Sequence, residues 1–360
     1  MTIKMKQIVM KTKRVTCIDV ARLAGVTIGS VSRVFNHAPN VSEDIHTRVM
    51  KAAKALNYRP SAAARMLARQ SHETIGLMME TEHVRTMYGA ALIEGLTERL
   101  SESGRRLALG MVPWQSPAER ILDLPMLKTL SVDGLILDLA QIQGDIDAVV
   151  ARLGVPYVFI NPSGSRPYNA IMPDDVAAGQ MATQYLIDRG HQRIAFISTG
   201  RNVKHSSSPD RMRGYARAMG QAGLSLIPGW DEPVERIYAP QDEYAQRFRF
   251  YYEKHHCTAV VCLSTIEAMR MYIGALQMQA RVPQDIALVS CDVASMAEVF
   301  PFPMPSVHLD RSEMGRLAID MLLERIATPN TDLPTVYYQG KMLDNVLTLF
   351  TGEFNNENTE

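Results

Sequence analysis

Apolar residues recur at helical intervals through the first sixty positions. From Glu73 onward they gather instead into short runs separated by helix-length segments. In residues 15–36, VTCIDVARLAGVTIGSVSRVFN, two short helical patterns meet at Ala24-Gly25-Val26. Ile18, Ala21 and Ala24 recur at helical spacing in the first, and Val31 and Val34 face inward in the second. Thr16, with Asp19 three residues on, is a capping-box arrangement, and Thr27 is placed to cap the second helix. Gly25 supplies the permissive backbone of a sharp interhelix turn. A third helix is predicted from about Ser42 to Leu56.

Beyond Glu73 the runs Thr74–Met79, Arg106–Val112, Asp133–Leu139 and Pro156–Ile160 read as strands, with a helix from about Tyr88 to Ser103. The series restarts after Asp174-Asp175. Helices are predicted over Ala177–Arg189, Asp210–Ala222 and Ala268–Gln279, and strands over Arg193–Ser198, Ala259–Leu263 and Ile286–Ser290. Strands alternating with helices predict parallel sheets with flanking helices, here in two similar α/β lobes. The chain is expected to recross after about Pro305. Ligands of such sheets bind at the carboxyl ends of the strands, in the crevice between lobes.

The second short helix turns Ile28, Gly29, Ser32, Arg33 and Asn36 outward. Small, polar and cationic side chains on one short helix are what a DNA major groove accepts. An ordinary pair of amphipathic helices shows the same spacing, so the following segment matters. Residues 58–69, YRPSAAARMLAR, open with a helix-starting Pro and combine alanines, Arg65, Arg69 and one large apolar residue, Leu67. The run is too short to be a stable helix alone. Ordering on DNA, with Leu67 wedged between base pairs, accounts for that composition; a plain basic linker is the alternative.

Residues 15–70 resemble the DNA-binding head and hinge of the lactose/galactose repressor (LacI/GalR) family. The shared motifs are D-V-A-x-x-A-G-V at Asp19–Val26, V-S-R-V at Val31–Val34, L-N-Y-x-P at Leu56–Pro60 and the hinge Leu67. The likeness runs to about residue 345. It implies an all-α helix-turn-helix head on an α/β two-lobed, periplasmic-binding-protein-like core. The organisation expected is a basic extension (1–14), a DNA-binding domain (15–60) and a hinge (61–71). The first lobe takes 72–173 and 306–338, the second 174–305 and 339–350, and 351–360 is a polar tail. The DNA-facing set is Thr16, Thr27, Ile28, Gly29, Ser32, Arg33, Asn36, Asn40 and Ser42, with Leu67 from the hinge.

The resemblance also implies an effector pocket. Arg211 matches the family's ligand-contacting arginine in R-x-x-G-F/Y, and Asp292 its acidic contact; Asp292 also reads as a strand-end turn residue. Tyr88 sits where relatives stack an aromatic on the effector, and reads equally as helix packing. Asn161, Asp174 and Asp175 end or follow the Pro156–Ile160 strand and are candidates to line the cleft or hinge, with turn formation the favoured role of the last two. Two departures stand out. Thr265 replaces the usual Asp, and Gly89 replaces a second aromatic. The effector is therefore expected to be sugar-like but unspecified, and an effector-independent core is the alternative.

Charge sharpens the picture. Residues 1–72 hold thirteen lysines and arginines against Asp19, Glu43 and Asp44, a net +10; the whole chain is neutral, so the remainder carries −10. A basic head on an acidic body suits phosphate contact on one side only. Cys17, Cys257, Cys262 and Cys291 lack metal-ligand spacing and read as reduced packing residues; no cofactor is implied. The N-terminal stretch lacks a secretion signal and no run suits a membrane span, so a cytoplasmic protein is expected. A solute-binding protein needs such a signal and has no use for residues 15–70. An enzyme needs a nucleophile–base or metal constellation; His205 beside Ser206–Ser208 has no motif, and His191 reads as a helix-end residue capping carbonyls. The expected protein is a dimeric, operator-binding regulator, with repression the default outcome, switched by a small molecule.

Overall fold

The computed structural model describes residues 15–35, 41–58, 71–81, 87–129, 131–140, 142–198, 205–231, 241–293 and 304–345. The chain divides into two compact units, up to His72 and from Glu73 onward.

The first unit contains α1 (Cys17–Ala24), α2 (Ile28–Phe35) and α3 (Glu43–Ala55). Val20, Ala21, Ala24, Val31, Val34, Val49, Ala52 and Ala53 form its core. Ile18 does not join them. It is 51% exposed, and Val20, fully buried, takes the inward position with Ala21 and Ala24. Small core residues let three short helices approach closely, and Phe35 packs edge-on against Tyr58 to close the far end.

The second unit begins with β1 (Thr74–Glu80), α4 (Met87–Glu102), β2 (Arg106–Val112), a 3-10 turn (Ala118–Asp123) and α5 (Pro125–Lys128). It continues with β3 (Gly134–Asp138), α6 (Ile146–Ala151), β4 (Tyr157–Ile160) and β5 (Ala170–Pro173). Next come α7 (Asp175–Asp188), β6 (Ile194–Ile197), α8 (Ser207–Gln221), α9 (Gln241–Arg249), β7 (Ala259–Cys262), α10 (Thr265–Gln277) and β8 (Ala287–Ser290). The unit closes with β9 (Ser306–His308), α11 (Arg311–Ala327), β10 (Val336–Tyr338) and β11 (Lys341–Leu343). Two sheets result, ordered β10-β5-β4-β3-β1-β2 and β11-β9-β8-β7-β6. The first is parallel throughout. The second is parallel except for its edge strand β11, which runs antiparallel to β9.

The return crossing falls later than the sequence pattern suggests. Ser306–His308 pairs in the second sheet, so residues 306–309 belong to the second lobe and only α11 and β10 return to the first. A three-residue strand directly behind Pro305 has no periodicity to betray its partner. The four-residue β5, ended by Pro173, is hidden for the same reason. Apolar strand residues on both faces of each sheet meet the helices. Ile75, Leu77, Ile136 and Val158 pack under Leu92 and Leu96 of α4 and Ala318 and Leu322 of α11. Val261, Phe196 and Val289 pack under Ala178 and Ala182 of α7 and Met219 of α8. Each such large side chain stabilises by about 1.5–3 kcal/mol on burial.

Both lobes bring one helix pair together through glycine. A Cβ on Gly95 of α4 would lie 1.9 Å from the Ser312 carbonyl oxygen of α11, and one on Gly315 2.8 Å from that of Leu92. In the other lobe, a Cβ on Gly179 of α7 would lie 2.0 Å from the Arg211 oxygen of α8, and one on Gly214 2.1 Å from that of Val176. Backbone meets backbone at these crossings, so no side chain can yield. Gly179→Ala should therefore lose about 1–3 kcal/mol or more of unfolding free energy in a urea titration. Gly220→Ala is the control: no neighbour lies within 4 Å of its added Cβ. That substitution should be neutral or gain up to about 1 kcal/mol from helix propensity. Equal effects of the two would contradict the crossing argument.

Candidate nucleic-acid interface and ligand cleft

The outward edge of the head is set by its caps. Thr16 donates from its backbone N–H and hydroxyl to the Asp19 carboxylate at 2.9 and 2.7 Å, and the Thr27 hydroxyl accepts from Ser30 N at 3.1 Å. Ser42 accepts from Ile45 N at 3.4 Å and starts α3. Gly25 turns the chain with φ +63°, in the left-handed region. With Val31 and Val34 buried, Thr27, Ile28, Gly29 and Arg33 lie exposed along one edge and Ser32 is half-buried beside them. Asn36, Asn40 and Leu67 lie outside the described residues.

Sequence reasoning missed the brace beneath this edge. Arg48 of α3 donates from Nε and Nη2 to the Ala24 carbonyl at 3.1 and 2.7 Å, and from Nη2 to that of Gly25 at 2.8 Å. A guanidinium thus satisfies the carbonyls that end α1, where a cation also suits the helix dipole. A lone Arg on a charged third helix gives no signal of this task.

In the second unit, Arg211, Asp292 and Thr265 do converge at the carboxyl ends of β7 and β8, but on one another. Arg211 is 5% exposed. It donates from Nε to Asp175 at 2.7 Å, from Nη1 to the Leu263 carbonyl at 2.8 Å and from Nη2 to Asp292 Oδ2 at 3.0 Å. Arg311, the first residue of α11, donates to the same Asp292 oxygen at 2.7 Å. Burial opposes the charge on Arg211, yet Asp175 and Asp292 outweigh it and hold the guanidinium pKa above the ordinary arginine value. Asp292 Oδ1 is buried and accepts no hydrogen bond among the described residues. Thr265 is buried as the first residue of α10, its N–H donating to the Asp292 carbonyl at 3.2 Å.

Around this knot, burial pushes the Cys291 thiol up to about 12 and Cys262 well above its ordinary value, which keeps both unreactive packing groups. Burial also lowers the pKa of His308, whose Nδ1 has no partner among the described residues. Among the described residues no group of His, Cys, Asp and Glu is placed to hold a metal ion.

One expectation changes. Asp175 is no turn former but a buried counter-ion, while Asp174 alone caps α7 through Ala177 N at 2.9 Å. His191 does cap the end of α7, its N–H donating to the Leu186 carbonyl at 3.2 Å, while its ring Nδ1 meets the Thr258 hydroxyl at 2.9 Å. Asn161 directly follows β4 with φ +47°, its N–H donating to Ile171 O at 2.9 Å. The side chain of Tyr88 lies outside the described residues.

Residues 16–61 match the family model described as bacterial regulatory proteins, lacI family, and residues 183–342 that of a periplasmic binding protein-like domain. Among curated relatives, the HTH-type transcriptional repressor PurR of Histophilus somni (strain 2336) is 31% identical over 315 residues, covering 86% of this chain and 91% of the relative. PurR of Photobacterium profundum is 30% identical, covering 87% and 92%. Among solved structures, a lac repressor dimer bound to operator and the anti-inducer ONPF shares the fold with a TM-score of 0.76 at 23% identity, over 92% of this chain and 98% of that one. A transcriptional regulator CelR–cellobiose complex matches with a TM-score of 0.62 at 26% identity, over the same shares. No helix among the described residues is long and apolar enough to cross a membrane.

Two substitutions test the geometry. Arg211→Ala would leave Asp175 and Asp292 without their shared counter-ion, and should cost about 3–5 kcal/mol of stability by urea unfolding. Arg211→Lys should recover only part of that, because an ammonium cannot span three acceptors. Arg48→Met should lower the stability of the head by about 1.5–3 kcal/mol, read by the loss of amide protection in residues 17–35. A change below about 0.5 kcal/mol at either site, on the order of a plain surface substitution, would show these contacts to be ornamental.

Proposed function

The chain belongs to the LacI family of bacterial regulatory proteins, and on that premise we propose that it is a dimeric repressor of near-palindromic operators, switched by a small molecule in the cleft of its core. The observation that carries the DNA half is the exposed edge Thr27-Ile28-Gly29 with Arg33, held on capped, braced helices. In this reading exposed Arg33 donates two bonds to a guanine edge, and Ile28, 51% exposed, touches a thymine methyl. Gly29 allows close backbone approach. The basic head supplies phosphate contacts, and Leu67 the minor-groove wedge between two half-sites. Two heads related by a two-fold axis would read a symmetric site. Leu109 on β2 and Leu276 on α10, 47% and 55% exposed, are apolar surface of the kind that a partner copy covers.

For the core, the supporting observation is Asp292 Oδ1, a buried acceptor in need of a donor. A hydroxyl- or N–H-bearing ligand, sugar-like in chemistry, would supply it. Solved relatives hold cellobiose in one case and ONPF in another, so the small molecule differs across the fold. The relatives are regulators rather than enzymes, and this chain is read the same way. One observation favours a second reading. Asp292 Oδ2 already accepts from both Arg211 and Arg311, so the core also fits a regulator that needs no effector.

Operator sites selected from random DNA test the first half. Arg33→Ala should lose about 1–3 kcal/mol of affinity at fixed salt and relax the preference at one base position. Unchanged binding would remove Arg33 from the groove. For the core, the full chain should show a melting shift with at least one sugar, sugar acid or nucleoside, and that compound should alter operator affinity by about 5–150-fold. Silence across such a panel favours the effector-independent reading.

A further inference from the structure

Two residues before α8 reach from the second lobe to the first. The His205 ring accepts from Ser207 N through Nδ1 at 3.1 Å, and the same nitrogen meets the Ser207 hydroxyl at 2.9 Å. A neutral imidazole whose Nδ1 accepts carries its proton on Nε2. That Nε2 lies 3.2 Å from the carbonyl oxygen of Asn161, so its N–H donates across the cleft to the residue that follows β4. The adjacent Ser206 hydroxyl accepts from Gly164 N at 3.3 Å. Both targets lie in the connection between β4 and β5. Asn161 is anchored there by its own N–H on Ile171 O.

The helix behind these residues is tied to its own lobe. Gly179 and Gly214 lock α8 against α7 backbone to backbone, and Arg211 on the same helix is tied to Asp175, Asp292 and Leu263. Separation of the lobes at this rim therefore breaks both hydrogen bonds together. We propose that His205 and Ser206 form a latch that holds the cleft closed and sets the balance between closed and open lobes. Its consequence for ligand response rests on the cleft reading above; its existence does not. The residues are positioning groups, and neither needs to touch a ligand.

Hydrogen–deuterium exchange of the ligand-free, full-length protein tests this. The amides of residues 161–169 are the readout, and those of β6 to β8 the internal reference. Three replacements of His205 separate latching from helix capping. Asparagine keeps an acceptor for Ser207 N but is too short to reach Asn161. Glutamine places an amide donor near the position of Nε2. If the latch exists, His205→Ala and His205→Asn should both exchange about tenfold faster than wild type at residues 161–169, the scale of one lost hydrogen bond. His205→Gln should stay near wild type. Ser206→Ala, which leaves the ring intact, should accelerate Gly164. Wild-type protection in His205→Asn would reduce the imidazole to a cap for α8 and overturn the proposal, as would identical exchange in all variants. Ligand-free exchange is blind to whether an effector exists, so failure of the effector reading leaves this result standing.

Discussion

Everything at the centre of the core depends on one charge that cannot leave. A guanidinium as buried as that of Arg211 is tolerated only with its full set of acceptors, because losing water costs several kcal/mol per ion. Those acceptors come from α7, from the turn after β7 and from the turn after β8, so satisfying one side chain positions three separate segments. Arg311 extends the set to the first helix of the return crossing. Oδ2 of Asp292 is thereby held by two cations, with Oδ1 left over.

The head solves a similar problem at smaller scale. Three short helices with an alanine- and valine-rich core bury little area, and such a unit is marginal on apolar burial alone. Caps at Thr16, Thr27 and Ser42, and the Arg48 guanidinium over the end of α1, supply polar definition instead. Ile28, Gly29 and Arg33 lie exposed along the outward edge of α2.

Periodicity makes the helices and the longer strands legible, because apolar residues at intervals of two or 3.6 announce a buried face regardless of partner. The family resemblance groups Arg211, Asp292 and Thr265 in one site. What it leaves hidden is instructive. Asp175 stands in a dipeptide that reads as a turn, and only the fold puts it 2.7 Å from a residue thirty-six positions away. Arg311 opens a helix whose apolar face lies in the other lobe, so local pattern ties it to the wrong neighbours. Ile18 has the right spacing and the wrong face, because a helix of eight residues has room for only one core stripe, and Val20 fills it. His205 stands outside any catalytic motif, a criterion indifferent to contacts made by a ring with a backbone carbonyl.

The strand order carries a consequence for how the core comes into being. Each sheet draws strands from both sides of the return crossing: β10 completes the first after β9 has joined the second, and β11 then closes the second. A ribosome that has delivered only the first three hundred residues has made neither lobe in full. The first still lacks the helix that covers one face, and the second lacks two of its five strands. The lobes are thus halves of one folding unit and not separable modules, and late-made residues such as Leu322 and Val307 complete cores begun more than a hundred residues earlier. Until then the face of the first sheet that α11 covers stays open to water, which makes residues 311–327 the guardians of the nascent chain's solubility.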